Sequence, residues 1–250
     1  MFRVTSALVA LAGIFAWSIN VRAAVVIETV TVGNPGNVGE LSGASVSRGS
    51  GPDRICGAVD YAYNIGTFEV TAGQYTEFLN AVAATDTYGL YNPLMDSNRY
   101  GYGCQITRTG DDGNYTYDFS GRPSGTEADW IDRPVNYVSW GHAARFANWL
   151  HNGQPGLPPG YPVPQDENST EDGSYFLNGA TTDGELIAIV REPDATWVIP
   201  SEDEWYKAAY HYNDGVTRNY YDYPTSSDSF PSNDLIDPDP RYSQMLWIGV

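Results

Sequence analysis

The stretch WVIPSEDEWYKAAYH, Trp197 to His211, reads either as an acid–base cluster or as the start of a helix. Glu202, Asp203 and Glu204 lie close in sequence to His211, one of only three histidines in the chain. Ser201 followed three residues later by Glu204 is a capping box, in which each side chain satisfies a backbone N–H of the first turn. Three acidic residues in that turn complement the positive end of the helix dipole, and Asp203 and Lys207 have the spacing of a surface ion pair. Trp205, Ala208, Ala209 and Tyr212 form an apolar stripe. A cap of this kind is worth about 1 kcal/mol, so helix formation alone accounts for the triplet.

The same plan occurs twice more, with a β-like stretch, a polar cap and an amphipathic helix. YAYNIGTFEV leads into a helix capped by Thr71 with Gln74 three residues on, and Tyr75, Phe78, Leu79 and Val82 share one face. RPVNYV leads into a helix capped by Ser139, with Trp140, Ala143, Ala144, Ala147 and Leu150 as its stripe and Gly153 beyond its end. Trp149 falls off that stripe and is expected to cover a flanking loop, with a place on a binding surface as the alternative. Irregular spacing excludes a solenoid and points to helices packed on a small mixed sheet. Long loops at 86–133, 152–185 and 213–240 hold many of the 19 tyrosines, whose rings can plug a loop while their hydroxyls bond at its rim.

At the start of the chain, Arg3 precedes an apolar run from Ala7 to Trp17, and Val21-Arg22-Ala23 ends in small residues. This predicts a secretory signal peptide over 1–24, an N-terminal strand and loop over 25–58, and a secreted, periplasmic or cell-surface product. No later stretch is long and apolar enough to span a membrane. Loss of Arg3 and Arg22 leaves 11 basic against 31 acidic side chains, a formal charge of −20 compared with −18 for the whole chain. Such a charge disfavours nucleic acid and anionic membranes as partners.

Two cysteines, Cys56 and Cys104, suggest one disulfide in an oxidising compartment, and the lack of a CxxC argues against a redox pair. His142, His151 and His211 have no zinc-like spacing. The loops GDDGNYTYD, QDENSTEDG and DLIDPDP offer oxygen ligands for calcium. The nearest EF-hand register runs from Asn168 through Thr170, Asp172 and Gly173 but has Gly179 at its twelfth position, which leaves only a non-EF calcium loop open. There is no G-x-S-x-G, P-loop or dinucleotide fingerprint.

Taken in order, IGTFEVTAGQYTEFLNAV, RPVNYVSWGHAARFANWLH and WVIPSEDEWYKAAYH resemble the sulfatase-modifying factor, or formylglycine-generating enzyme-like, family over residues 60 to 224. The resemblance implies a loop-rich α+β fold related to C-type lectin-like domains, here over 59–250. The family includes oxidases that turn a sulfatase cysteine into formylglycine, iron-dependent sulfoxide synthases and secreted bacterial proteins, so fold alone does not set activity. The oxidases bind copper through a cysteine pair near the end of the domain, whereas Cys56 and Cys104 both precede the second motif. A copper site is therefore not expected. DPDPRYSQMLWIGV differs from the family's closing segments, which implies a domain lacking its C-terminal part or completed by other means. Asn233 is the one position that aligns, poorly, with a family calcium ligand. The expectation is a secreted relative of the formylglycine-generating oxidases without their cysteine pair, or alternatively a lectin-like module for carbohydrate or an extracellular protein.

Overall fold

The computed structural model describes residues 24–42, 54–96, 102–123, 125–157 and 160–230. The predicted signal segment up to residue 23, and Asn233, lie outside the described residues. The elements are β1 (Thr29–Val32), β2 (Glu40–Ser42), β3 (Arg54–Cys56), β4 (Tyr63–Gly66), α1 (Ala72–Val82), β5 (Thr107–Thr109), β6 (Thr116–Asp118), α2 (Ala128–Ile131), α3 (Trp140–His151), α4 (Asp183–Leu186) and α5 (Glu202–Tyr210). This is a mixed α and β fold with small sheets and few helices.

All three capped helices form. Gln74 N donates to Thr71 Oγ1 at 3.2 Å and Thr71 N to Gln74 Oε1 at 2.9 Å, which completes the first capping box. Ser139 caps α3, and Ser201 with Glu204 caps α5. Tyr75, Phe78, Leu79 and Val82 are buried as their spacing requires. Gly153 follows the C-cap Asn152 with φ +78°, a left-handed conformation that favours glycine.

The expected mixed sheet is instead three separate antiparallel ribbons among the described residues, β1–β4, β2–β3 and β5–β6. The stretches before α3 and α5 are not strands. Pro134 lacks an N–H and makes one bridge, to Thr71, while Val135 N bonds Val70 O at 3.0 Å. In the stretch before α5, Ile199 N donates to the Tyr175 hydroxyl at 2.9 Å.

The helix α3 is buried on two sides, which its apolar stripe alone does not predict. One side, with Phe146, Trp149 and Leu150, packs in the main core with Tyr75, Phe78 and Leu79 of α1. Trp149 is fully buried: its ring lies 5.3 Å from that of Phe78, and its Nε1 donates to Pro155 O at 2.9 Å. It therefore joins the core as well as pinning the flanking loop. Trp140, expected in the stripe, is 39% exposed and meets Tyr175 edge-on.

On the other side, Ala144 and Ala147 pack with Tyr175 and Leu177, and a polar row holds the 164–180 loop. Arg145 donates to both Glu171 carboxylate oxygens at 2.7 and 2.8 Å and to Ala180 O at 3.0 Å, while its guanidinium lies over the Tyr88 ring. Asn148 bonds Thr170 O, Tyr175 O and Tyr175 N, and Asn152 bonds Ser169 O and Asp172 O. Positions 145, 148 and 152 fall on one helical face, so local geometry aligns the row.

Removing one partner of such a buried pair strands the other charge. Arg145→Met should cost about 3–5 kcal/mol in urea unfolding. The double variant Arg145→Met/Glu171→Gln should recover at least half of that, and a single-variant loss under about 1 kcal/mol would contradict this role.

Candidate functional site

The acidic triplet of α5 does not converge on one point. Glu202 pairs with Arg54 where both side chains are more than half exposed, a pair worth little. Asp203 Oδ1 accepts from Gly57 N at 2.8 Å, so the expected Asp203–Lys207 pair is not made. Lys207 is instead buried, with Nζ donating to Asn34 O at 2.9 Å and Val59 O at 3.3 Å. Trp205 is only half-buried, whereas Glu204 is 4% exposed. The Glu204 carboxylate accepts from Arg191 at 2.6 and 2.9 Å, from the Tyr61 hydroxyl at 2.6 Å and from Ser201 N at 2.6 Å. His211 accepts from Asn213 N through Nδ1 and closes its own turn.

Burial pushes the Glu204 carboxyl up, but its hydrogen bonds from Arg191, Tyr61 and the Ser201 amide hold it down at about 2, against an ordinary value of 4.5. Its contribution is therefore complete above pH 4.5 and is lost as pH falls toward 2.

Cys56 and Cys104 are both buried free thiols, so the bridge their pairing suggests is not formed. They belong to different parts of the fold. Cys56 ends β3 beside Glu202 and Asp203, whereas Cys104 sits in the main core cluster that also holds Tyr75, Met95 and Ile106. Burial pushes both thiols up, and Glu202 adds to the effect at Cys56. A copper ion held by a cysteine pair needs two converging thiolates, so these residues do not fit it.

The loop nearest to an EF-hand does not fit calcium either. Glu171 is spent on Arg145 and on Gly179 N, and Asp172 accepts from Gly173 N. Among the described residues, no three His, Cys, Asp or Glu side chains form a group able to hold a metal.

A cleft of about 420 Å³ lies between the N-terminal segment and the start of α1. Val26, Ile27, Phe68 and Pro134 are its apolar lining residues, and Glu28, Glu69, Thr71, Gln74 and Asp132 complete the lining. Both walls are fixed by hydrogen bonds. Gln74 Nε2 donates to Val26 O at 2.9 Å, and Gln154 clamps Val25 by accepting from its N–H at 2.6 Å and donating to its carbonyl at 2.8 Å. Opposite, Ala72 N bonds Arg133 O at 2.7 Å. Sequence reasoning missed this site because its three segments are far apart along the chain, and only Thr71 and Gln74 carried a local signal.

The chain matches the family model described as the sulfatase-modifying factor enzyme 1-like domain over residues 41–249. No curated protein and no solved structure gives a significant match. The matched stretch begins before the first of the three motifs and ends after the last, while Val26, Ile27 and Glu28 of the cleft precede it.

Two outcomes follow. Neither thiol should react with Ellman's reagent in the native protein, and both should react after denaturation without reductant; no thiol detected after denaturation would show that a bridge exists. In acid, the stability difference between the wild type and Glu204→Gln should shrink by about 3 kcal/mol from pH 5 to pH 2. A difference independent of pH would contradict the depressed carboxyl.

Proposed function

The chain belongs to the sulfatase-modifying factor enzyme 1-like family, and on that premise we propose that it is an exported ligand-binding domain whose two cysteines do not perform the family's copper-dependent cysteine oxidation. The observation that carries this reading is the separation of Cys56 and Cys104 into two buried environments that hold them as thiols. Oxidation of a substrate cysteine by that route requires thiolates that reach both the metal and the substrate.

Three buried charged side chains, Glu204, Glu171 and Lys207, have structural partners. Glu204 holds Arg191 and the start of α5, Glu171 holds Arg145, and Lys207 closes two backbone carbonyls. The preformed cleft supports a binding role, since ligand sites are concave, largely apolar and carry a few placed polar groups. Export rests on the N-terminal sequence, and the lectin-like kinship implied by the motifs makes an extracellular carbohydrate or protein the natural class of ligand.

The test is to incubate the full chain with copper and oxygen and a cysteine-containing sulfatase peptide, then measure formylglycine by mass spectrometry. No conversion is expected, and Cys56→Ser/Cys104→Ser should behave as the wild type does. Copper-dependent conversion that disappears in the double variant would overturn the reading.

A further inference from the structure

We propose that Asn114, at the tip of the β5–β6 hairpin, is an attachment site for an N-linked oligosaccharide on the folded protein. The inference goes beyond the binding reading and uses only its export part, which brings the chain to a compartment where such transfer takes place.

Two stretches fit the acceptor pattern of an asparagine followed two places later by serine or threonine, Asn114-Tyr115-Thr116 and Asn168-Ser169-Thr170. Each also has an aspartate two places before the asparagine, Asp112 and Asp166, so local sequence does not separate them. The fold does. Transfer joins the asparagine Nδ2 to the anomeric carbon of a sugar carried on a lipid pyrophosphate. The new C–N bond forms as the bond from that carbon to the pyrophosphate oxygen breaks. The lipid pyrophosphate leaves, the amide gives up one proton, and nothing is oxidised or reduced. The enzyme must therefore reach both the asparagine amide and the hydroxyl two residues on.

At Asn114 both groups are open. The strands pair as far as Thr109 and Thr116, and the chain turns between them, with Gly110 and Gly113 at φ +88° and +85° and Asn114 N bonded to Asp111 O at 2.8 Å. Residues 111–114 are exposed, and so is Thr116. The Thr116 hydroxyl lies 2.9 Å from that of Thr109 at the surface, where water already competes for it, so exchanging that bond for one to an enzyme costs little. Tyr115 anchors the base of the turn, with its N donating to Ala84 O at 3.0 Å and its ring 4.4 Å from the Arg108 guanidinium. The tip thus projects from a fixed base, and loop tips of this kind are where chains accept additions.

At Asn168 only the asparagine is exposed. Thr170 is fully buried, with its hydroxyl donating to Glu171 Oε1 at 3.0 Å, and the Ser169 hydroxyl donates to Pro164 O at 2.5 Å. Asn148 and Asn152 of α3 hold the carbonyls of these two residues. Presenting Thr170 to an enzyme means lifting the loop off α3 and breaking the Arg145–Glu171 pair.

The experiment incubates the purified full chain with an oligosaccharyltransferase and a lipid-pyrophosphate-linked oligosaccharide, and locates the glycan by peptide mapping with mass spectrometry. Short peptides covering 108–120 and 162–174 serve as unfolded controls, and both should accept the sugar. The folded chain should carry it on Asn114 and at least about tenfold less on Asn168, which reacts only from the opened loop. Asn114→Gln and Thr116→Val should each abolish transfer at the hairpin, Thr116→Ser should keep it, and all three should keep the wild-type thermal midpoint. Arg145→Met, which loosens the 164–180 loop, should raise transfer to Asn168. A folded chain without glycan on Asn114 when the 108–120 peptide accepts it, or one with Asn168 filled as readily as Asn114, would overturn the inference. Neither copper nor export enters this assay, so its failure is distinguishable from failure of the function proposed above.

Discussion

Arg145 is 1% exposed, and the architecture of the central part of the chain depends on where its charge is neutralised. A guanidinium taken out of water requires a carboxylate and further acceptors in good geometry. Glu171 supplies the carboxylate in a two-point pair, Ala180 the carbonyl, and Tyr88 a ring face. To deliver them, the chain from Pro164 to Ala180 must fold against α3. Once it does, Tyr175 and Leu177 cover the alanines of that helix, and the opposite side of α3 is free to build the main core on α1. A segment with no helix or strand of its own is thus fixed to the fold by the side chains of a helix.

The start of α5 repeats the device. Glu204 collects Arg191, Tyr61 and the Ser201 amide, Lys207 closes the carbonyls of Asn34 and Val59, and Asp203 caps Gly57. Tyr220 adds a hydroxyl between Asn37 and Gly57 O. In this way a nine-residue helix ties the small N-terminal ribbons to the rest of the chain. Three two-stranded ribbons would be marginal alone, and their attachment to buried polar side chains compensates for the missing sheet.

Features decided within a few residues were legible in the sequence. Thr71 with Gln74, Ser139, and Ser201 with Glu204 announce helix starts because the cap bonds lie within one turn. The stripe of α1 was legible for the same reason. Which charges are buried was not. Glu204 and Lys207 look like surface residues of a capped helix, and their burial depends on residues more than 140 positions away, such as Tyr61 and Val59. Trp149 pins the flanking loop as expected, and its place in the core as well was not legible because a single stripe assumes a helix with one buried face. The cleft left no local trace either, since its lining segments at 26–28, 68–74 and 132–134 are far apart along the chain and meet through long-range bonds such as those of Gln74 to Val26 and Gln154 to Val25.

The central claim is that polar side chains of α3 hold the acidic 164–180 loop as part of the core. Native-state hydrogen exchange at the amides of Tyr175, Leu177 and Gly179 tests this most directly, because they bond Asn148, the Glu171 carbonyl and the Glu171 carboxylate. The account predicts protection approaching that of Leu79 and Val82 in α1. Exchange as fast as that of the exposed Gly113 amide would contradict it.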